Sequence, residues 1–209
     1  MDLTIATYNR HKVREIAQIL SDFPLRITSL SDLPRRIAIE ETGATFAENA
    51  AHKALTVASL VEGIVLADDS GLEVDALGGE PGVFSARYAG PRATDLQNNK
   101  KLLAALEGVP WERRGARFRC VVALVDAQRQ VHYAEGTCEG IIAFEPVGEH
   151  GFGYDPLFFL PEYTMTMAQV SPAVKNRISH RAQAINRARD ILDRLLPIGG
   201  VDFSPPSTI

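Results

Sequence analysis

Cysteine is scarce in this chain. Only Cys120 and Cys138 occur among 209 residues. Both sit in strand-like runs without the close Cys/His spacing of a metal site, which argues against zinc and for free, buried thiols in a reducing compartment. Excess positive charge is also missing. Twenty-two Lys and Arg against 26 Asp and Glu leave a formal charge of −4, the wrong sign for a general nucleic-acid binder. No apolar run approaches the ~20 residues needed to cross a bilayer. The opening MDLTIATYN lacks the apolar stretch of a secretory signal. These absences together imply a cytoplasmic protein with neither nucleic acid nor membrane as partner. There is no GxxxxGK[ST] phosphate loop, no internal repeat and no low-complexity segment.

What is present is an ordinary globular composition, 45% apolar and 23% charged, enough to build a core without disulfides. The length suits one domain, read here as residues 1–196 in two lobes. A loose tail over 197–209 follows, carrying Gly199-Gly200 and Pro205-Pro206.

The stretch from Ile64 to Tyr88 organises the chain. Ile64-Val65-Leu66-Ala67 reads as a buried strand, followed at once by Asp68 and Asp69 and then the turn pair Ser70-Gly71. Ligands of open α/β sheets bind at such a carboxyl edge. Side chains alternate along a strand, so one of these acids is expected in the cleft and the other in a structural role.

Upstream, Leu3-Thr4-Ile5-Ala6 reads as a strand and 11–20 as a helix, with Val13, Ile16, Ala17 and Leu20 on one face. Thr7, Tyr8, Asn9, Arg10, His11 and Lys12 lie between them. A strand-to-helix turn offers free N–H groups and a positive dipole end, so this segment is a candidate triphosphate cradle. A plain helix cap beside solvated bases reads the same way. Residues 25–29 suggest a strand, and Arg36 to Ile39 a further extended segment ending at Glu40-Glu41. Thr45 and Glu48 have capping-box spacing for a helix to about Val61. Lys53, one turn after Asn49, could reach a phosphate or a carboxylate. Acids at two strand ends, Glu40-Glu41 and Asp68-Asp69, suit Mg²⁺, which binds through one or two carboxylates plus substrate phosphates.

Gly78 to Gly82 is a turn cluster, and Arg87 is a candidate anion or dimer contact. Thr94 caps a helix to about Glu107. Residues 116–125, 131–138 and 140–144 read as an antiparallel meander, placed in the second lobe. In Gly151-Phe152-Gly153-Tyr154-Asp155-Pro156, flanking glycines would leave the Phe152 ring open to a flat base. Ser179 can cap a last helix whose first turn carries His180 and Arg181. Bases there oppose the helix dipole, so stability alone does not explain them.

These residues resemble the Ham1-like family of noncanonical purine nucleoside triphosphate pyrophosphatases, the inosine and xanthosine triphosphatases. The matching motifs are T-x-N-x-x-K from Thr7 to Lys12, EETGxTFxENAxxKA from Glu40, ADDSGLEVDALGGEPGVFSARYAG from Ala67, GFGYDP from Gly151, and K-x-x-x-SHR from Lys175. Tyr8 departs from the pattern, since many relatives carry a smaller residue there. The resemblance implies an α/β fold with a long central mixed sheet and flanking helices, two lobes around a nucleotide cleft, and a homodimer. It implies Mg²⁺-dependent hydrolysis of ITP, dITP and XTP to monophosphate and pyrophosphate. By position, Thr7, Asn9 and Lys12 match the phosphate loop, and Tyr8, Arg10 and His11 within it, with Lys53, are counted as further candidate substrate contacts. Glu40 and Asp69 match the metal acids, with Asp69 also the base, although Glu41 competes with Glu40 for the inner position. Ser70 matches a substrate contact. Phe152, Gly153, Tyr154 and Asp155 match the base pocket, and Lys175, His180 and Arg181 match base and phosphate contacts. Two rival readings are a related pyrophosphatase with another base preference and a nucleotide sensor without turnover.

Overall fold

The computed structural model describes residues 1–196. The expectation of a loose 197–209 tail lies outside the described residues.

One seven-stranded sheet runs through the molecule: β1 (Asp2–Ile5), β2 (Arg26–Ser29), β3 (Ile64–Val74), β4 (Gly115–Val125), β5 (Val131–Ile142), β6 (Phe158–Leu160) and β7 (Met165–Thr166). Their order is β2-β1-β3-β4-β5-β6-β7. The first three strands are parallel and the rest antiparallel, so the sheet is mixed, as expected. The helices are α1 (Arg10–Ile19), α2 (Phe46–Ala58), α3 (Asp95–Ala105), α4 (Pro172–Ile178) and α5 (His180–Leu195).

The period-two alternation of β3 sorts the core. Ile64 and Leu66 point to one face, where Ile16 of α1, Leu20 just after it, and Ile185, Ala188 and Leu192 of α5 cover them. Val65 and Ala67 point to the other, against Phe46, Ala50, Ala54 and Val57 of α2. A third cluster fills the far end, where Leu72 and Val74 meet Leu102 and Leu106 and the Phe118, Tyr154 and Phe158 rings.

Helix ends follow the side chains that satisfy their free N–H groups. Asn9 Oδ1 accepts from His11 and Lys12 N–H, Thr45 from Glu48, Thr94 from Gln97 and Ser179 from Ala182.

Three expectations need correction, and one helix adds to them. The central strand does not stop at Ala67: β3 continues through Asp68, Asp69, Ser70 and Gly71 to Val74, paired with β4 throughout. The two strands expected over 131–144 are one strand, β5. Arg36 to Ile39 joins no ladder; it is a loop tied by Tyr8, whose hydroxyl accepts from Ile37 N and donates to Ile37 O. The short helix α4, which carries Lys175, was absent from the sequence reading.

Candidate active site

Asp68 and Asp69 lie mid-strand, opposite Val122 and Val121, and alternation sends them to opposite faces of the sheet. Asp68 faces α1 and α5. Lys12 Nζ is 2.9 Å from its Oδ2, Arg181 Nε 3.2 Å, and the Ser70 hydroxyl donates at 2.7 Å. Its side chain is fully buried. Burial alone would raise its pKa, but Lys12 and Arg181 outweigh it and hold the carboxyl far below the ordinary range. Asp68 is therefore a permanently charged anchor for two cations.

Asp69 faces α2. Asn49 Nδ2 donates to its Oδ2 at 3.0 Å, and Lys53 Nζ lies 3.3 Å from its Oδ1. Here burial prevails over the nearby lysines, and the Asp69 pKa is raised above the usual carboxylate value. Two adjacent acids on one strand thus differ in basicity because they meet different numbers of cations.

Lys53 is buried at 7% exposure and also reaches Glu41 Oε1 at 2.6 Å. The second Glu41 oxygen accepts from Arg87 at 3.2 Å. Glu40, expected beside Asp69, is instead exposed, and Glu41 lines the cleft. Nothing in the spacing could separate the two, because the segment before them is a loop without strand alternation.

Across the cleft lies a ring with cations around it. Phe152 has Lys175 Nζ 4.6 Å and Arg181 Cζ 5.7 Å from its centroid, and His11 tilts against it at 5.3 Å. The ring is half-buried rather than fully open, because His11 already covers part of it. Asp155 accepts from Phe152 N–H at 2.9 Å and from Lys175 at 2.6 Å. Tyr154 is buried and donates its hydroxyl to Ser85 O, so its polar end anchors the fold rather than facing the cleft. Gly153, at φ +63°, is pinned from both sides by α3, with its N–H on Asp95 and its carbonyl on Asn99.

Arg181 is almost completely buried, with Nε on Asp68, one terminal nitrogen on Glu15 at 2.6 Å and the other on Ser70 at 3.2 Å. Three of its five N–H donors are engaged. His180 stacks on Phe118 at 4.7 Å and 17°, and its Nδ1 has no hydrogen-bond partner among the described residues. Burial and the cations Arg181 and Lys175 depress its pKa well below normal, so the ring is neutral.

The structure brings Asn9, Lys12, Ser70, Phe152, Lys175 and Arg181 to one cleft together with Asp69. Thr7 accepts from Asn9 N–H and shapes the loop. Tyr8 fastens the 34–41 loop, and Arg10 is exposed at the start of α1. Sequence reasoning missed Glu15, which joins Lys175 and Arg181, along with Asn49 as the Asp69 partner, while Arg87, a candidate anion contact, meets the Glu41 carboxylate. The position of Asn49 one turn before Lys53 was the one signal available; Glu15 reads as a surface acid until α4 and α5 are placed.

Among the described residues, no three His, Cys, Asp or Glu side chains form a metal-holding group, and no helix is long and apolar enough to cross a membrane. Glu41 and Asp69, two hard oxygen donors on separate elements, fit an ion that takes its remaining ligands from phosphates.

The chain is similar to several known proteins. The chain is 51% identical over 195 residues to a dITP/XTP pyrophosphatase of Desulforamulus reducens, covering 93% of this chain and 97% of that protein. It is 52% identical over 185 residues to a dITP/XTP pyrophosphatase of Listeria monocytogenes, covering 88% and 91%. The solved structure of a HAM1 protein from Coxiella burnetii superposes with a TM-score of 0.84 at 41% identity, covering 93% of this chain and 99% of that one. A nucleoside-triphosphatase described as a dITP/XTP pyrophosphatase, from Mycobacterium abscessus, gives 0.71 at 38% identity, covering 95% and 100%. The family model described as the Ham1 family matches residues 3–191, and the chain belongs to the Ham1 family.

Proposed function

We propose that this protein hydrolyses the deaminated purine nucleotides dITP, ITP and XTP to the monophosphate and pyrophosphate. One observation carries the proposal: Asp69 and Glu41, bridged from behind by the buried Lys53, line a single cleft with the Phe152, Lys175 and Arg181 slot. The relatives from Desulforamulus reducens and Listeria monocytogenes are dITP/XTP pyrophosphatases, which is the same chemistry.

In the reaction, a water oxygen forms a bond to the α-phosphorus while the Pα–O–Pβ bridge breaks. The bridging oxygen leaves with its electron pair on pyrophosphate. Asp69 accepts the water proton, a task its raised pKa favours. Lys12 and Lys53 lie where they can offset charge growing on the leaving group. The Thr7–Lys12 turn, the positive dipole end of α1 and the Lys12 ammonium receive the phosphates, the His11 and Lys12 N–H groups being held by Asn9 Oδ1. Glu41 and Asp69 would hold Mg²⁺, which when bound supplies charge neutralisation on the phosphates.

Base choice rests on donors. Arg181 keeps two N–H groups beyond its three internal bonds, and neither can accept from the 6-amino group of adenine. A 6-oxo group meets donors instead. Sites built on such bonds discriminate by ~10⁴-fold in favourable cases. Stacking on Phe152 requires His11 to move aside. We further propose a homodimer in the cytoplasm, the state that family membership suggests.

The test is product analysis with Mg²⁺ over dITP, XTP, dATP, dGTP and dTTP. The proposal expects pyrophosphate and monophosphate from the first two and little turnover of dATP and dTTP, while dGTP, which shares the 6-oxo group, reads selection at the 2-position. Release of inorganic phosphate and a diphosphate, or faster dTTP turnover, contradicts it. Sedimentation of the same sample reads the oligomeric state.

A further inference from the structure

Lys53 sits where a cation between two carboxylates belongs. Its Nζ is 2.6 Å from Glu41 Oε1 and 3.3 Å from Asp69 Oδ1. Each carboxylate is also fixed through its other oxygen by something else: Glu41 Oε2 by Arg87 at 3.2 Å, and Asp69 Oδ2 by Asn49 at 3.0 Å. Asn49 is in turn held by Gly43 N–H, which donates to its Oδ1. Each carboxylate is thus held through one oxygen by a neighbouring side chain, while its other oxygen shares a single ammonium on a flexible four-carbon stem.

We propose that Lys53 is an internal placeholder: its ammonium holds Glu41 and Asp69 together until Mg²⁺ arrives with a triphosphate, and then exchanges onto the phosphates. This rests on reading Glu41 and Asp69 as the metal-holding pair. An ammonium and a divalent ion repel strongly at the same two oxygens, so one must leave. If the metal comes alone, displaced Lys53 is a buried charge with no partner, which is costly. If a triphosphate comes too, its oxygens receive the ammonium. Metal and nucleotide therefore bind with positive coupling, and the coupling is reciprocal. Arg87 and Asn49 keep the two carboxylates in place while the cations trade. The protein alone offers two carboxylates rather than a full cage, which also disfavours tight metal binding without phosphates.

The test is Mn²⁺ binding to the full chain, read from the free-ion electron paramagnetic resonance signal, with and without an α,β-methylene analogue of dITP. Wild type is expected to bind Mn²⁺ weakly alone and about tenfold or more tightly with the analogue. Lys53→Met is expected to bind Mn²⁺ about tenfold more tightly than wild type without the analogue, and to lose most of the coupling. Lys53→Gln, also uncharged, gives the same comparison if the methionine variant does not fold. Lys12→Met is the control for a general field effect, since Lys12 pairs with Asp68 on the opposite sheet face. It should change analogue-free affinity far less. Equal tightening by the Lys12 and Lys53 variants overturns the inference, as does unchanged or weaker Mn²⁺ binding by both Lys53 variants. Asp69→Asn separates this failure from that of the underlying site: if it leaves Mn²⁺ affinity intact, the metal-holding pair itself is wrong.

Discussion

At the scale of single residues, Asp68 is an acid that ties β3 to α1 and α5. It joins Lys12 of α1 to Arg181 of α5 through one oxygen. Removing its charge takes this partner from the partly buried Lys12 and leaves the buried Arg181 with Glu15 alone, and breaking a buried pair costs about 3–5 kcal/mol. Asp68→Asn should show a loss of that size in urea unfolding. The pH sign follows from its depressed pKa. Its folded value lies below the ordinary 3.8, so its contribution is fully present above that value and fades as pH falls through and beneath it. The variant should lack that part of the acid destabilisation. His180 acts in a higher window. Its folded pKa lies below the ordinary 6.5, so the unfolded chain binds the extra proton first and stability declines as pH drops under 6.5. His180→Phe keeps a ring against Phe118 and should flatten the decline between pH 6.5 and 5, measured by urea midpoints at each pH. An unchanged slope would assign the decline to other groups.

At the scale of elements, the placing of α5 decides where His180 and Arg181 sit. Gly136 of β5 allows it: a Cβ there would collide with the His180 carbonyl and the Ala184 nitrogen, both backbone atoms. Gly136→Ala should therefore cost about 1–3 kcal/mol by overpacking and raise the KM for dITP more than it lowers kcat. An alanine variant with normal stability and KM would show that α5 can shift freely. Elements of this kind were partly legible in the sequence. The helices α1, α2, α3 and α5 were readable from apolar spacing and cap residues, because both signals are local. The strand β3 was cut short at Ala67 because two adjacent acids look like a sheet edge. They continue as a buried strand only because Lys12, Arg181 and Lys53, distant in sequence, neutralise them on each face. The same distance hid Glu15: its partners Lys175 and Arg181 come from helices more than 150 residues further on. Glu41 was inseparable from Glu40 because their segment lacks any periodicity, and only contact with Lys53 and Arg87 distinguishes them.

At the scale of the molecule, the sheet works as a partition. Its α1/α5 face carries the permanently charged Asp68 with the recognition cations, and its α2 face carries the basic Asp69 with Lys53 and Glu41. A nucleotide spanning the cleft would meet both, with its base near Phe152 and its phosphates near Lys12. This division explains why neighbouring acids can serve unlike ends. It also commits the account to Asp69 as the proton acceptor. The most direct test is pyrophosphate release from dITP by Asp69→Asn at saturating Mg²⁺, beside a melting curve showing the variant folded. Loss of a general base predicts a fall of ~10²–10⁴-fold in kcat. A folded variant that turns over dITP at close to the wild-type rate would contradict the account.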